Sequence, residues 1–355
     1  MNKKQTVTIV HDNNIYDRSY IEITKRYHDI NVVDVKSLSA KDFKQSLLFI
    51  LQVDLTNPKT ILALKEKMST TEGAKMPTLF LLNDFTRREI VQASILGASD
   101  YIAYPCPDDY FITIIGNLTS QAVEKAWEKL SHIQEMALKV SLKTMEDTFK
   151  NAITGNDISQ EDIKHSCDMI IQATEKDGLT DWMNAIRLHH NYTYRHSMMV
   201  CGYLVSFGLH LGVKNTDLQL LSLGGVMHDI GKSLVPLHLL DKPAKLTSEE
   251  WVIMKQHPGN AQGIMKEGEW DPLLIDMATH HHEKLDGDGY PHGLKGSEIS
   301  DLTRMTAIAD VFSGLTDKRS YKAAMSAEKA INIMLSMSGH LDIDLVKAFQ
   351  PIVIT

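Results

Sequence analysis

The chain has 355 residues, 43% of them hydrophobic and 23% charged, with a formal net charge of −8 at pH 7. That length suits two domains, and the composition is that of an ordinary globular protein. The acidic balance excludes a global basic field that would recruit DNA or RNA, so an anionic ligand must be met by a local cluster of Lys or Arg.

The N-terminal stretch MNKKQTVTIVHDNN has a basic start but too short an apolar run for a signal peptide. No segment reaches the roughly 18 apolar residues of a membrane span. The three cysteines, Cys106, Cys167 and Cys201, are far apart. They predict reduced thiols in the cytoplasm rather than a disulfide frame or a zinc knuckle. The runs at 6–10, 30–35, 47–53, 77–82 and 100–105 read as strands, with helical segments at 58–68 and 86–96. Near-continuous apolar strands alternating with helices predict a doubly wound, mainly parallel α/β sheet.

From 107 to 150 the pattern turns helical, with Ala122, Ala126, Leu130, Ile133, Met136 and Val140 at helical spacing. This predicts a long helix joining two domains, which can also pair with a second copy of the chain as a homodimer. Beyond 151 the sequence is nearly all helical. The stretch 197–212 is apolar almost all round, as in a buried helix. Thr216 reads as a helix cap, and Thr247 with Glu250 as a capping box.

Within this second part, His and Asp residues recur beside helix-forming apolar runs: His196, His228 with Asp229, His257, His281 with His282, and Asp310. Imidazole and carboxylate together suit Fe, Mn, Co, Ni or Zn. A carboxylate can bridge two ions, and a two-metal site is a usual device for phosphoester hydrolysis. Each residue alone is more often a satisfied core or surface side chain. His189, His190, His280 and His292 read as non-ligands. After His282 comes EKLDGDGYPHGLKG, where Gly287, Gly289 and Gly293 permit backbone conformations closed to other residues. Asp286 can bond the turn backbone and Pro291 fixes its own φ. Lys232 lies one helical turn past the His-Asp pair, and Arg319 and Lys322 are three apart.

The segments HS (196–197), HDIGKSLVP (228–236), LTSEEWVIMKQHPGNAQGI (246–264), HHEKLDGDGYPHGLKG (281–296) and IADVFSGLTDKRSYKAA (308–324) together resemble the HD-GYP phosphodiesterases, a branch of the HD phosphohydrolases. The resemblance implies an all-α helical-bundle domain over 151–355 that hydrolyses a bacterial cyclic dinucleotide. Cyclic di-GMP or 3',3'-cyclic GMP-AMP would be cut to the linear dinucleotide or on to mononucleotides. It implies one metal held by His196, His228, Asp229 and Asp310. A second is held by His257, His281 and His282, with Asp229 bridging. Iron or manganese is the implied pair of divalent ions. Family members with a third metal place a Glu about one turn before the first His. Here that turn is Asn191, Tyr192 and Thr193, so two metals are expected. His228, Asp229 and Lys232 are the implied catalytic group, and Lys232, Arg319 and Lys322 the implied phosphate contacts. Tyr290 either helps place the substrate or merely supports the two histidines before it.

Residues 1–120 resemble a response-regulator receiver, followed by a linker helix over 121–150. Asp54 follows the third strand, with Pro58 four residues on, as around a phosphoacceptor. The departures are His11-Asp12 in place of an acidic pair, Leu82 in place of Thr or Ser, and Tyr104 in place of Lys. Without that Lys a phospho-Asp loses its cation. A degenerate receiver used for dimerisation or partner binding is expected, with Asp54 read either as a phosphoacceptor or, by preference, as a turn residue that ends the strand. The rival readings of the whole are a catalytically silent nucleotide sensor and an HD phosphohydrolase of another substrate.

Overall fold

The computed structural model describes residues 6–12, 19–70, 73, 76–187, 189, 191–240, 242, 244–317 and 324–354. The chain divides into two compact units, one of residues 1–126 with 188–190, the other of 127–187 and 191–355.

The first unit contains the strands β1 (Thr6–His11), β2 (Ile30–Asp34), β3 (Ser46–Gln52), β4 (Thr78–Leu82) and β5 (Asp100–Ala103). All pairings are parallel, in the order β2-β1-β3-β4-β5. The helices α1 (Ser19–Tyr27), α2 (Ala40–Gln45), α3 (Pro58–Met68), α4 (Arg87–Ile95) and α5 (Asp108–Trp127) follow in turn. Side chains alternate across a strand. Leu48 and Ile50 of β3 therefore join Tyr20, Phe111 and Ile115 in one core cluster, while Phe49 and Leu51 join Phe43, Leu64 and Ala93 in the other. Covering both faces is what makes the strands read as apolar runs rather than alternating ones.

The receiver-like features lie at the C-terminal edge of this sheet. Asp12 Oδ2 accepts hydrogen bonds from the Asp54 backbone N–H and the Thr60 hydroxyl, each at 3.0 Å. Asp54 Oδ1 is taken by the N–H and hydroxyl of Thr56 at 2.8 and 2.6 Å. Leu82 and Tyr104 are buried, and the Tyr104 hydroxyl meets Ser19 Oγ at 2.6 Å.

The helical stretch expected over 107–150 is two helices, α5 and α6 (His132–Thr154), separated by four residues. Ser131 starts the second: its hydroxyl accepts from the Gln134 N–H at 3.2 Å. The second unit continues with α7 (Gln160–Asp177), α8 (Leu179–Ile186), α9 (Tyr192–His210), α10 (Asn215–Met227), α11 (Leu237–Leu240), α12 (Ser248–Met254), α13 (His257–Glu267) and α14 (Pro272–His280). It ends with α15 (Asp301–Thr316), α16 (Ala327–Leu335) and α17 (Ile343–Val353). The apolar stretch expected to be buried is α9, which packs against α7, α8, α10, α15 and α17. Helix α10 begins at Asn215 with Lys214 at the N-cap, so Thr216 lies inside the first turn instead of capping it. The Thr247–Glu250 capping box is formed. No described helix is long and apolar enough to cross a membrane.

Candidate metal centre

The His and Asp residues singled out in the sequence come from five places in the second unit. His196 sits in the second turn of α9 and Asp310 in α15. His228 is the C-cap of α10 and Asp229 follows it into a short 3-10 turn, Ile230–Leu234. His257 opens α13, and His281 is the C-cap of α14 with His282 next. Two helix C-termini, with their partial negative charge, thus abut the cluster, an arrangement that favours a cation.

The side chains meet around Asp229. His196 Nε2 is 3.0 Å from Asp310 Oδ1 and 3.4 Å from Asp229 Oδ2. His228 Nε2 is 3.3 Å from Asp229 Oδ2. On the other carboxylate oxygen, His257 Nε2 lies 3.4 Å and His281 Nε2 3.9 Å from Oδ1. His282 Nδ1 is 3.8 Å from Asp310 Oδ2. Donor atoms fall into two three-residue groups, His196-His228-Asp310 and His257-His281-His282, and a third group, His228-Asp229-His281, links them.

Three of these imidazoles are oriented in one way. The Nδ1 atoms of His228, His257 and His281 face the carbonyl oxygens of Gly225, Met254 and Ala278 at 2.9, 2.7 and 3.0 Å. A carbonyl oxygen only accepts, so each Nδ1 carries the proton and each Nε2 presents a bare lone pair. His196 Nδ1 is held by Ser313 Oγ at 3.1 Å. The bare nitrogens of His257 and His281 then face each other at 3.4 Å. Asp229 Oδ1, buried beside them, has no hydrogen-bond partner. Opposed lone pairs and an orphaned carboxylate oxygen are unfavourable together in a dry interior unless a cation lies among them. The donor set, imidazole and carboxylate, suits a divalent transition metal.

Electrostatics keep His196, His257, His281, His282 and Asp229 in their ligand forms, with His228 the exception. Burial holds His257 down to about 4 and His282 down to about 3. Burial alone would raise the Asp229 carboxyl, but Lys232 and the imidazoles outweigh it and hold it well below the ordinary value. For His228, burial pulls downward and the neighbouring Asp229 more than reverses it.

Lys232 Nζ lies 2.5 Å from Asp229 Oδ2, so its charge is directed at the central carboxylate. Tyr290 stacks on His282, with ring centroids 4.9 Å apart. Arg319 and Lys322 lie outside the described residues, as does His190. His280 and His292 form a separate chain: Asp276 Oδ1 to His280 Nδ1 at 2.7 Å, then His280 Nε2 to His292 Nδ1 at 2.9 Å. His189 instead meets Glu124 in the first unit.

The loop after His282 is built on a residue the sequence did not flag. Glu283 is buried, and its carboxylate accepts from three consecutive backbone N–H groups, those of His292, Gly293 and Leu294, at 2.6, 3.0 and 3.2 Å. Gly287 and Gly293 adopt positive φ of 85° and 69°. At Gly289 a Cβ would come within 2.4 Å of the Glu283 Cα, so only glycine lets the loop fold back this closely. Asp286 Oδ1 accepts from the Asp288 N–H at 2.9 Å, the turn bond expected for it.

Comparison with known proteins places this site in a family. The sequence model of the HD domain matches residues 182–345, which contain all seven of the converging His and Asp residues. This part of the chain is an HD domain. A 206-residue stretch is 35% identical to cyclic di-GMP phosphodiesterase PA4108 of Pseudomonas aeruginosa, covering 57% of this chain and 49% of that protein. Another, of 143 residues, is 41% identical to 3'3'-cGAMP-specific phosphodiesterase 3 of Vibrio cholerae, covering 40% and 31%. The cyclic di-GMP phosphodiesterase response regulator RpfG of Xanthomonas campestris is 34% identical over 133 residues, 37% of this chain and 35% of that one. The chain therefore spans about half or less of the length of these curated relatives. Among solved structures, the HDG"Y"P protein Bd1817 of Bdellovibrio bacteriovorus shares the fold, with a TM-score of 0.51 and 19% identity over 68% of this chain and 79% of that one. The HD domain is preceded by the receiver-like α/β unit.

Proposed function

We propose that this chain is a metal-dependent phosphodiesterase that opens a cyclic dinucleotide, cyclic di-GMP or 3',3'-cyclic GMP-AMP, to its linear form. One observation carries the reading: bare imidazole nitrogens converge on an Asp229 oxygen that has no other partner. In this reading His196, His228, Asp229 and Asp310 would hold one divalent ion, and His257, His281 and His282, sharing Asp229, a second. Iron or manganese suits these donors. The absence of a carboxylate in Asn191, Tyr192 and Thr193 supports two ions rather than three. Bound cations there would supply Lewis-acid charge, acidifying water and neutralising charge on phosphoryl oxygens.

The protein's own groups prepare that chemistry. The backbone carbonyls that hold Nδ1–H fix the ring direction of His228, His257 and His281, so that Nε2 faces the centre before any ligand arrives. Lys232 offsets the charge of Asp229 and keeps it ionised. Tyr290 covers one face of His282 and borders the space in which a substrate would lie. Arg319 and Lys322 are assigned to substrate phosphate on the family resemblance. The names of the relatives support a cyclic-dinucleotide substrate and span both cyclic di-GMP and cyclic GMP-AMP.

The test is a product assay on both nucleotides with iron- or manganese-loaded protein, wild type against His228→Ala and Asp229→Ala. Linear product from the wild type, with both variants losing cleavage and bound metal together, is the expected result. Full activity in either variant refutes the assignment, and nucleotide binding without product points to a sensor instead.

A further inference from the structure

A cyclic dinucleotide carries two phosphodiester anions, and a single metal centre engages the one being cut. The other needs cations outside the metal cluster. Arg319 and Lys322, assigned to substrate phosphate above, lie outside the described residues, and a cationic side chain within the described residues would add to that pair. Lys232 is committed to Asp229 at 2.5 Å, leaving little of its charge for a second phosphate.

Lys255 stands in a different position. It is the C-cap of α12, two residues before the converging His257, at the junction between α12 and α13. Its ammonium lies over the Tyr290 ring, 5.1 Å from the centroid. That ring stacks on His282, which in turn sits edge-on to His257 with centroids 5.0 Å apart. Lys255, Tyr290, His282 and His257 thus form a closed circuit at the rim of the centre, joined through the backbone of Gln256. The ring face restrains a long side chain that would otherwise lose much rotamer freedom on ordering. Lys255 is exposed and makes no ion pair among the described residues. An exposed, preoriented and uncommitted ammonium beside the centre is a ready anion contact.

We propose that Lys255 binds the second, uncleaved phosphodiester of the cyclic dinucleotide, with Tyr290 as its platform. This rests on the phosphodiesterase reading above and extends it to a substrate contact outside the metal cluster.

The test compares two substrates in metal-loaded protein: cyclic di-GMP, with two phosphodiesters, and bis(p-nitrophenyl) phosphate, with one. For Lys255→Ala, the ratio of kcat/KM for cyclic di-GMP to that for bis(p-nitrophenyl) phosphate should fall about tenfold, the size of a lost charge-assisted contact. The loss should lie in KM, and Lys255→Arg should restore most of it. An unchanged ratio overturns the proposal, whether both activities persist or both decline, since a support role through Tyr290 and His282 would affect the two substrates alike. A wild-type protein that cleaves bis(p-nitrophenyl) phosphate but neither cyclic di-GMP nor 3',3'-cyclic GMP-AMP overturns the substrate reading itself, and the role of Lys255 with it.

Discussion

At the level of single residues, the centre is defined by what lies behind each imidazole. His228, His257 and His281 each bond the carbonyl three positions earlier in the chain. Burial then keeps His257 and His282 neutral down to about 4 and about 3, whereas in an unfolded chain both return to about 6.5. Between those values the unfolded state binds protons that the folded state does not. Stability is therefore fully present above about pH 6.5 and is lost as pH falls toward 4. Burial lowers His196 and His281 in the same direction, and only His228, raised by Asp229, opposes them. The thermal midpoint of metal-stripped protein should accordingly drop by several degrees from pH 7 to pH 5. A midpoint independent of pH across that range would contradict the neutral assignment. The identities of the His and Asp residues were legible in the sequence because their motifs are distinctive. The carbonyl partners, Glu283 and Lys255 were not, because backbone acceptors leave no trace in sequence and a lysine near a helix end resembles any solvated one.

At the level of elements, the geometry depends on how closely short segments approach. The 3-10 turn Ile230–Leu234 packs on α13, and Gly231 lies against its first turn. A Cβ at Gly231 would come within 1.9 Å of the His257 carbonyl oxygen and 2.6 Å of the Ala261 nitrogen. These are backbone atoms, so the helix start itself must move. Gly231→Ala should destabilise the protein by about 1–3 kcal/mol in denaturant unfolding and reduce bound metal by displacing His257. Wild-type stability with full metal content would rule out this close contact. The strands β1, β3 and β4 were visible in sequence because burial on both faces makes them continuous apolar runs. The helix α2, six residues long, was not, having too few turns for a periodic signal. The break between α5 and α6 was hidden for another reason. Residues 128–131 read EKLS, with neither proline nor glycine, and the stop comes from the Ser131 cap.

For the molecule as a whole, an α/β unit with a receiver's strand order accompanies a helical HD domain. In the first unit the position expected for a receiver's lysine is Tyr104, buried against Ser19, and Asp54 is already bonded by Thr56. A phosphoryl group on Asp54 would meet no lysine at that position. Asp54→Ala should therefore leave nucleotide cleavage by this chain within about twofold of wild type, since Asp54 is none of the residues of the centre and its carboxylate bonds Thr56 beside it. Collapse of turnover in that variant would mean that the unit does switch through this residue. The carbonyl-anchored histidines have a last implication. Ring directions set by the peptide chain do not wait for a particular ion, and imidazole and carboxylate donors accept several first-row metals, with affinities that differ along the series. If a divalent ion is held there, exchanging it for another would need no rotation of these three rings.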